Sequence, residues 1–80
     1  MGDKIAVITI IISDVSAVET VNSLLHDYRD YVIGRMGLPY KQKNVNIISV
    51  VMDAPQEKLN GLSGKLGMIS GVTSRVLTAK

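Results

Sequence analysis

The chain has 80 residues, nine of them basic and seven acidic, and a formal net charge of +2 at pH 7. It contains no cysteine and a single histidine, His26, which excludes disulfides and the usual zinc or nickel sites, so we expect no metal and no cofactor. The charges are mixed along the chain and the three tyrosines are its only aromatic residues, so direct nucleic-acid binding is not expected. A cysteine-free chain suits the reducing cytoplasm, which is the compartment we expect.

The first strand is predicted at Lys4–Ile12, where the residues are mostly β-branched and apolar. This run is much shorter than the roughly 20 residues of a membrane span. It also lacks the small-residue cleavage pattern of a signal peptide. We therefore expect no membrane segment.

The first helix is predicted at Ala17–Arg29. Ser16 and Glu19 have the spacing of a capping box at its start. Apolar residues recur three or four positions apart and form one helical face. These residues are Val18, Val21, Leu25 and Tyr28.

A second strand, Tyr31–Tyr40, is interrupted by two glycines and by Pro39, which belongs at a strand end, a bulge or a sheet edge. The polar segment Lys41–Asn44 predicts a hairpin turn, and Val45–Met52 predicts the third strand.

The second helix is predicted after Asp53, a candidate cap, with Pro55 in its first turn and Gly67 at its end. Its apolar face repeats the spacing of the first helix. The residues of that face are Leu59, Leu62, Leu66 and Ile69. A turn at Ser70 and Gly71 leads into the fourth strand, Val72–Thr78.

The order β-α-β-β-α-β predicts a single α+β domain over residues 1–80. Helical crossovers join parallel strands that are not neighbours, and the hairpin joins the second and third strands antiparallel. A ferredoxin-like βαββαβ sandwich satisfies both conditions, with a four-stranded antiparallel sheet and two helices on one face.

The strands are apolar on both faces, although the helices of this fold cover only one. In the first strand Ile5, Val7 and Ile11 point one way, and a second apolar set points the other. That second set is Ala6, Ile8, Ile10 and Ile12. An uncovered apolar face is unusual in a small monomer, so we predict a homodimer or tetramer built sheet-to-sheet or edge-to-edge.

No pattern of catalytic residues is visible, and we predict that the chain is not an enzyme. The first strand-to-helix loop, Ser13–Ser16, has no arginine to hold a phosphate. Asp14 and Asp53 have the positions of caps or turn residues, and His26 is interpreted as an ordinary helix residue.

Other residues are candidates for contact with a ligand or a partner. Gly61 and Gly64 lie inside the predicted second helix, where each glycine costs about 1 kcal/mol relative to alanine. Their presence favours either a close contact with a ligand or with a helix of another subunit, or packing of the helix on the sheet within the monomer. Arg35 is either an anion-binding arginine or an exposed edge residue. The full set of candidate ligand or interface residues is Asp14, Arg35, Gly37, Gly61, Gly64 and Lys65.

Three segments carry a family resemblance: the glycine-containing helix Leu59–Gly67 running into Ile69–Val72, then Arg35–Pro39, and Asn46–Ile48. Together they resemble the small regulators of the iron-only hydrogenase system. Those proteins are similar to the ACT-like, C-terminal ligand-binding domain of nickel-responsive regulators. The resemblance implies an ACT-like, ferredoxin-like fold, oligomeric assembly and a regulatory role.

The sequence also departs from these relatives. It lacks the cysteine and the additional histidines of the nickel site, a ribbon-helix-helix segment, and the loop glycine of amino-acid-binding ACT domains. We therefore predict a non-enzymatic oligomeric module that senses a small-molecule effector or a protein partner and is linked to the iron-only hydrogenase system. The alternative is a nucleic-acid-binding or transcription-associated regulator that acts with a separate DNA-binding partner.

Overall fold

The computed structural model describes residues 3–79, whose strands and helices follow the predicted order. The strands are β1 (Lys4–Ile12), β2 (Val32–Tyr40), β3 (Val45–Ala54) and β4 (Val72–Thr78). The helices are α1 (Val18–Asp27) and α2 (Gln56–Gly67). Short 3-10 turns lie at Val15–Ala17, Arg29–Tyr31 and Lys41–Lys43.

The four strands form one sheet in the order β2-β3-β1-β4, and each neighbouring pair is antiparallel. This arrangement confirms the predicted ferredoxin-like, ACT-like α+β fold. Strand β1 is central because it pairs with both β3 and β4. Strand β2 is an edge, where a proline such as Pro39 is tolerated.

The core lies between the two helices and one face of the sheet. Alternate residues of β1 are buried, among them Ile8, Ile10 and Ile12, none of which has measurable exposure. They belong to one cluster with the apolar faces of the helices and of β3. The helix and β3 side chains in it include Val21, Leu25, Tyr28, Leu59, Leu62, Leu66, Ile48, Val50 and Met52.

The capping residues predicted for the starts of the two helices are wrong. Asp14, and not Glu19, is the partner of Ser16: its carboxylate accepts from the Ser16 backbone N–H at 3.0 Å and from Ser16 Oγ at 2.7 Å. This pairing caps a 3-10 turn, so α1 begins later, at Val18, without a side-chain cap. Asp53 is also not a cap, because β3 extends through it and α2 begins after Pro55.

Gly71 connects the start of β4 to the loop that follows β1. Its carbonyl accepts from the Ser13 backbone N–H at 2.8 Å and from Ser13 Oγ at 3.2 Å. Its φ is +81°, a conformation that favours glycine, and a Cβ at this position would overlap the Cβ of Asp14. Only glycine fits this junction without strain.

Gly71→Ala should lower the free energy of unfolding by about 2–4 kcal/mol, through the left-handed backbone and the overlap with Asp14. The matched control is Gly64→Ala, since a Cβ at the exposed Gly64 meets nothing within 4 Å. Alanine there should raise stability by about 0.5–1 kcal/mol. Urea unfolding of both variants measures the difference, and equal stabilities would contradict the assigned role of Gly71.

Candidate functional site

One face of the sheet carries no helix, and we call it the open face. It contains the side chains that alternate with the core residues along each strand. Several are large, apolar and exposed, including Met36 (64%), Leu38 (53%) and Leu77 (74%). The isoleucines of β1 on this face, Ile5 and Ile11, are 45% and 42% exposed.

Strand register arranges the open face into rows that cross the sheet. One row contains Leu77, Val7, Val51 and Gly34, and another contains Thr73, Ile11, Ile47 and Leu38. Between them lies a more polar row of Arg75, Thr9, Ser49 and Met36. Among the paired strand residues that the structure describes, Asp53, opposite Ile5, is the one acidic side chain on this face, and Arg75 is the one basic side chain.

A groove of about 580 Å³, here the end groove, lies where the β2–β3 hairpin extends beyond the end of β1. Its lining includes Asp14 from the loop after β1, together with hairpin residues. Those hairpin residues are Pro39, Tyr40, Lys41, Asn44, Val45 and Asn46. The Ser16 hydroxyl and then the Ser16 backbone N–H, by donating to the carboxylate, lower the pKa of Asp14 below its ordinary value.

A second groove of about 290 Å³, here the side groove, lies between α1 and β2. Arg35 lines it and donates to Asn22 Oδ1 at 2.8 Å. Arg29 also lines it and donates to the His26 carbonyl at 3.0 Å. His26, Leu25, Val32 and Val50 complete the lining.

The structure places Gly61 and Lys65 at the contact between the two helices. A Cβ at Gly61 would lie 3.1 Å from Tyr28 Oη, and Lys65 Nζ lies 5.3 Å from the centroid of the Tyr28 ring. For Gly61 this favours the second of the two sequence-based interpretations, packing within the monomer. Gly37 and Gly64 are exposed and have open space around them.

The six candidate residues therefore do not converge on one site. Asp14 lies in the end groove, Arg35 in the side groove, and Gly61 and Lys65 at the helix contact. Sequence reasoning missed Arg29 and His26 as neighbours of Arg35. The sequence does contain a pattern that could have identified them. Asn22, His26 and Arg29 are four and three residues apart, a spacing that aligns them along one side of α1 and the turn that follows it.

Over residues 3–79, no group of three or more histidine or acidic side chains is placed to hold a metal ion. Within the same residues, no helix has the length and hydrophobicity needed to cross a membrane.

The fold defines the chain as a small ferredoxin-like, ACT-like domain. A formyltetrahydrofolate deformylase from Pseudomonas putida KT2440 shares it with a TM-score of 0.64 at 18% identity, over 91% of this chain and 28% of that chain. At this identity the likeness shows the fold alone. No curated protein matches the chain.

A closer likeness covers the whole chain. The uncharacterized protein TM1266 from Thermotoga maritima matches with a TM-score of 0.93 and 33% identity, over 98% of this chain and 99% of that chain. The family model described as "TM1266-like: Iron-only hydrogenase system regulator, putative" matches residues 4–76. The chain belongs to this TM1266-like family, as its motifs predicted.

Asp14 should contribute stability that depends on pH. Because its pKa in the folded protein is lowered, the contribution is present above the ordinary value of 3.8 and is lost as the pH falls through the folded-state pKa. Asp14→Ala should therefore be less stable than the wild type at neutral pH, and the difference should shrink below pH 3.8. Thermal unfolding of both proteins across the acid range tests this; a difference independent of pH would contradict it.

Gly61→Ala should be coupled to Tyr28. In the wild type the added methyl group must displace the Tyr28 hydroxyl, which offsets the gain in helix propensity. With Tyr28→Phe, the same change should stabilise the protein by about 0.5–1 kcal/mol. A double-mutant cycle by urea unfolding measures the coupling, and strict additivity would show that the contact does not constrain Gly61.

Proposed function

We propose that this protein is a non-enzymatic, cytoplasmic regulatory module of the iron-only hydrogenase system that works as a homo-oligomer assembled through its open face. The family supports the regulatory role. The observation that carries the assembly is the set of large apolar side chains exposed on a sheet face that no helix covers.

The size of this surface favours assembly. The exposed parts of Ile5, Ile11, Met36, Leu38, Tyr40 and Leu77 amount to on the order of 600 Å², at the upper end for the largest apolar patch of a monomer. Burying that area contributes at most about 15 kcal/mol at 25 cal/mol per Å² of apolar surface, before the cost of association, because part of it belongs to backbone atoms and the Tyr40 hydroxyl. A standard interface buries about 800 Å² per partner, which this face approaches with its polar rim.

The charges on the open face favour a second copy as the occupant. In a two-fold interface every contact between two different residues of the two copies occurs twice, once in each direction. Among the described strand residues, this face carries one cation, Arg75, and one anion, Asp53, on different strands. A two-fold arrangement can place each over the opposite charge of the partner, giving two ion pairs between the copies.

The regulatory reading also agrees with the distribution of carboxylates. Asp14 lies in the end groove, whereas Asp53 lies on the open face, so the two junction carboxylates do not line the same groove. Catalysis by an acid–base pair would need them within reach of the same bound molecule.

Leu38→Glu and Leu77→Glu should each dissociate the oligomer, because each places a charge in the apolar part of the interface. Both side chains are more than half exposed in the monomer, so the fold should survive. The matched control is Met68→Glu, which changes an 86% exposed methionine at the end of α2, on the helix side of the sheet. Sedimentation velocity should show an oligomeric wild type and control but monomeric Leu38 and Leu77 variants.

Two outcomes would overturn the assembly. One is a wild type that sediments as a monomer at micromolar concentration. The other is that both open-face variants remain oligomeric. The second outcome would place the interface elsewhere, as in edge-to-edge pairing through β2 or β4.

A further inference from the structure

The side groove brings together cationic side chains from two elements. Asn22, His26 and Arg29 lie along one side of α1 and its following turn. Arg35 comes from β2, where it is opposite the fully buried Val50 and therefore lies on the helix side of the sheet. We propose that this groove binds a small oxyanion, the phosphate or carboxylate group of a metabolite, as the effector site of the regulatory module proposed above.

Both guanidinium groups are held in place by neutral acceptors. Arg35 donates to the Asn22 amide oxygen and Arg29 to the His26 backbone carbonyl. Each hydrogen bond uses one of the five N–H donors of an arginine, and neither neutralises its charge. The remaining donors form the planar fork that binds a phosphate or a carboxylate through two parallel hydrogen bonds.

The rest of the lining suits an anion of modest size. No carboxylate lines the side groove, and its apolar lining consists of Leu25, Val32 and Val50. Leu25 and Val50 are almost fully buried and close the floor of the groove, whereas Asn22, His26, Arg29 and Arg35 are exposed and accessible to an anion from solvent. The volume of about 290 Å³ lies just below the range of about 300–1,000 Å³ for small-molecule pockets, which favours a small anion over a larger ligand.

Access to Arg35 is open from the hairpin side. Gly37, the next residue on the same side of β2, has nothing within 4 Å of the position of a Cβ. A ligand bound to Arg35 can therefore extend along the edge strand without a clash.

The test is titration of the full chain with inorganic phosphate and, separately, with succinate, followed by the NMR signals of the arginine Nε–Hε groups. We expect at least one probe to shift the Arg29 and Arg35 signals in a saturable way. Which probe binds more tightly distinguishes a phosphate ligand from a carboxylate ligand. Arg35→Gln and Arg29→Gln should each weaken binding about ten-fold or more, the usual effect of losing a hydrogen bond to a charged group.

Arg35→Lys tests the geometry separately from the charge. It keeps the cation but loses the planar fork, so it should also weaken binding. The matched control is Lys58→Gln, which removes one exposed positive charge of α2 that does not line the side groove. It should bind like the wild type.

Three results would overturn the site: neither probe shifts the two arginine signals, Lys58→Gln weakens binding as much as Arg35→Gln, or the chain binds only duplex DNA with a steep salt dependence. Sedimentation of the same samples separates this proposal from the one on which it rests. An oligomer that binds neither probe removes the oxyanion site alone, whereas a monomer that binds through Arg35 removes the assembly alone.

Discussion

Strand β1 is apolar on both of its faces. It pairs with both β3 and β4, and its buried side packs against both helices. Its buried side, including Ile8 and Ile10, is the floor of the helix-covered core. Crossover connections are right-handed, which places both helices of a βαββαβ chain on the same side of the sheet. The other side of β1, with Ile5 and Ile11, is therefore left without a helix and is partly exposed.

This constraint also decides where ligands can approach. The grooves lie at the borders of the covered region, one where the hairpin extends beyond β1 and one where α1 meets the edge strand β2. Tyr40 and Val45 line the end groove, and as a cross-strand pair they also form the margin of the open face next to the hairpin turn. The side groove is on the helix side, so the oxyanion site and the subunit interface that we propose use different surfaces.

The fold could be predicted because the strand pattern and the helical spacing agree at every element. The apolar faces predicted for the helices are the ones in the core, from Val21 to Leu66. The cap of the first helix could not be predicted, because the sequence offers Ser16 two carboxylates, Asp14 and Glu19, and the 3-10 turn at Val15–Ala17 pairs it with Asp14. Spacing alone does not tell which of the two competing hydrogen bonds the chain adopts.

The candidate site was only partly accessible to sequence reasoning. Arg35 was recognised as a candidate for anion binding, but its neighbour Arg29 is supplied by the packing of α1 beside β2, which is a tertiary contact. For Gly61, two explanations remained until the distance to Tyr28 Oη was known. That distance depends on how the two helices pack, and the sequence around Gly61 gives no information on it.

The central claim, that a second copy of the chain covers the open face, is tested most directly by NMR on a mixed sample of isotope-labelled and unlabelled protein. Isotope-filtered NOE spectra detect only contacts between copies. The account predicts intermolecular NOEs among the methyl groups of Ile11, Ile47 and Leu77, and none from Leu59 or Leu62 in the core. Open-face methyl groups that show contacts to water and no intermolecular NOEs would contradict it.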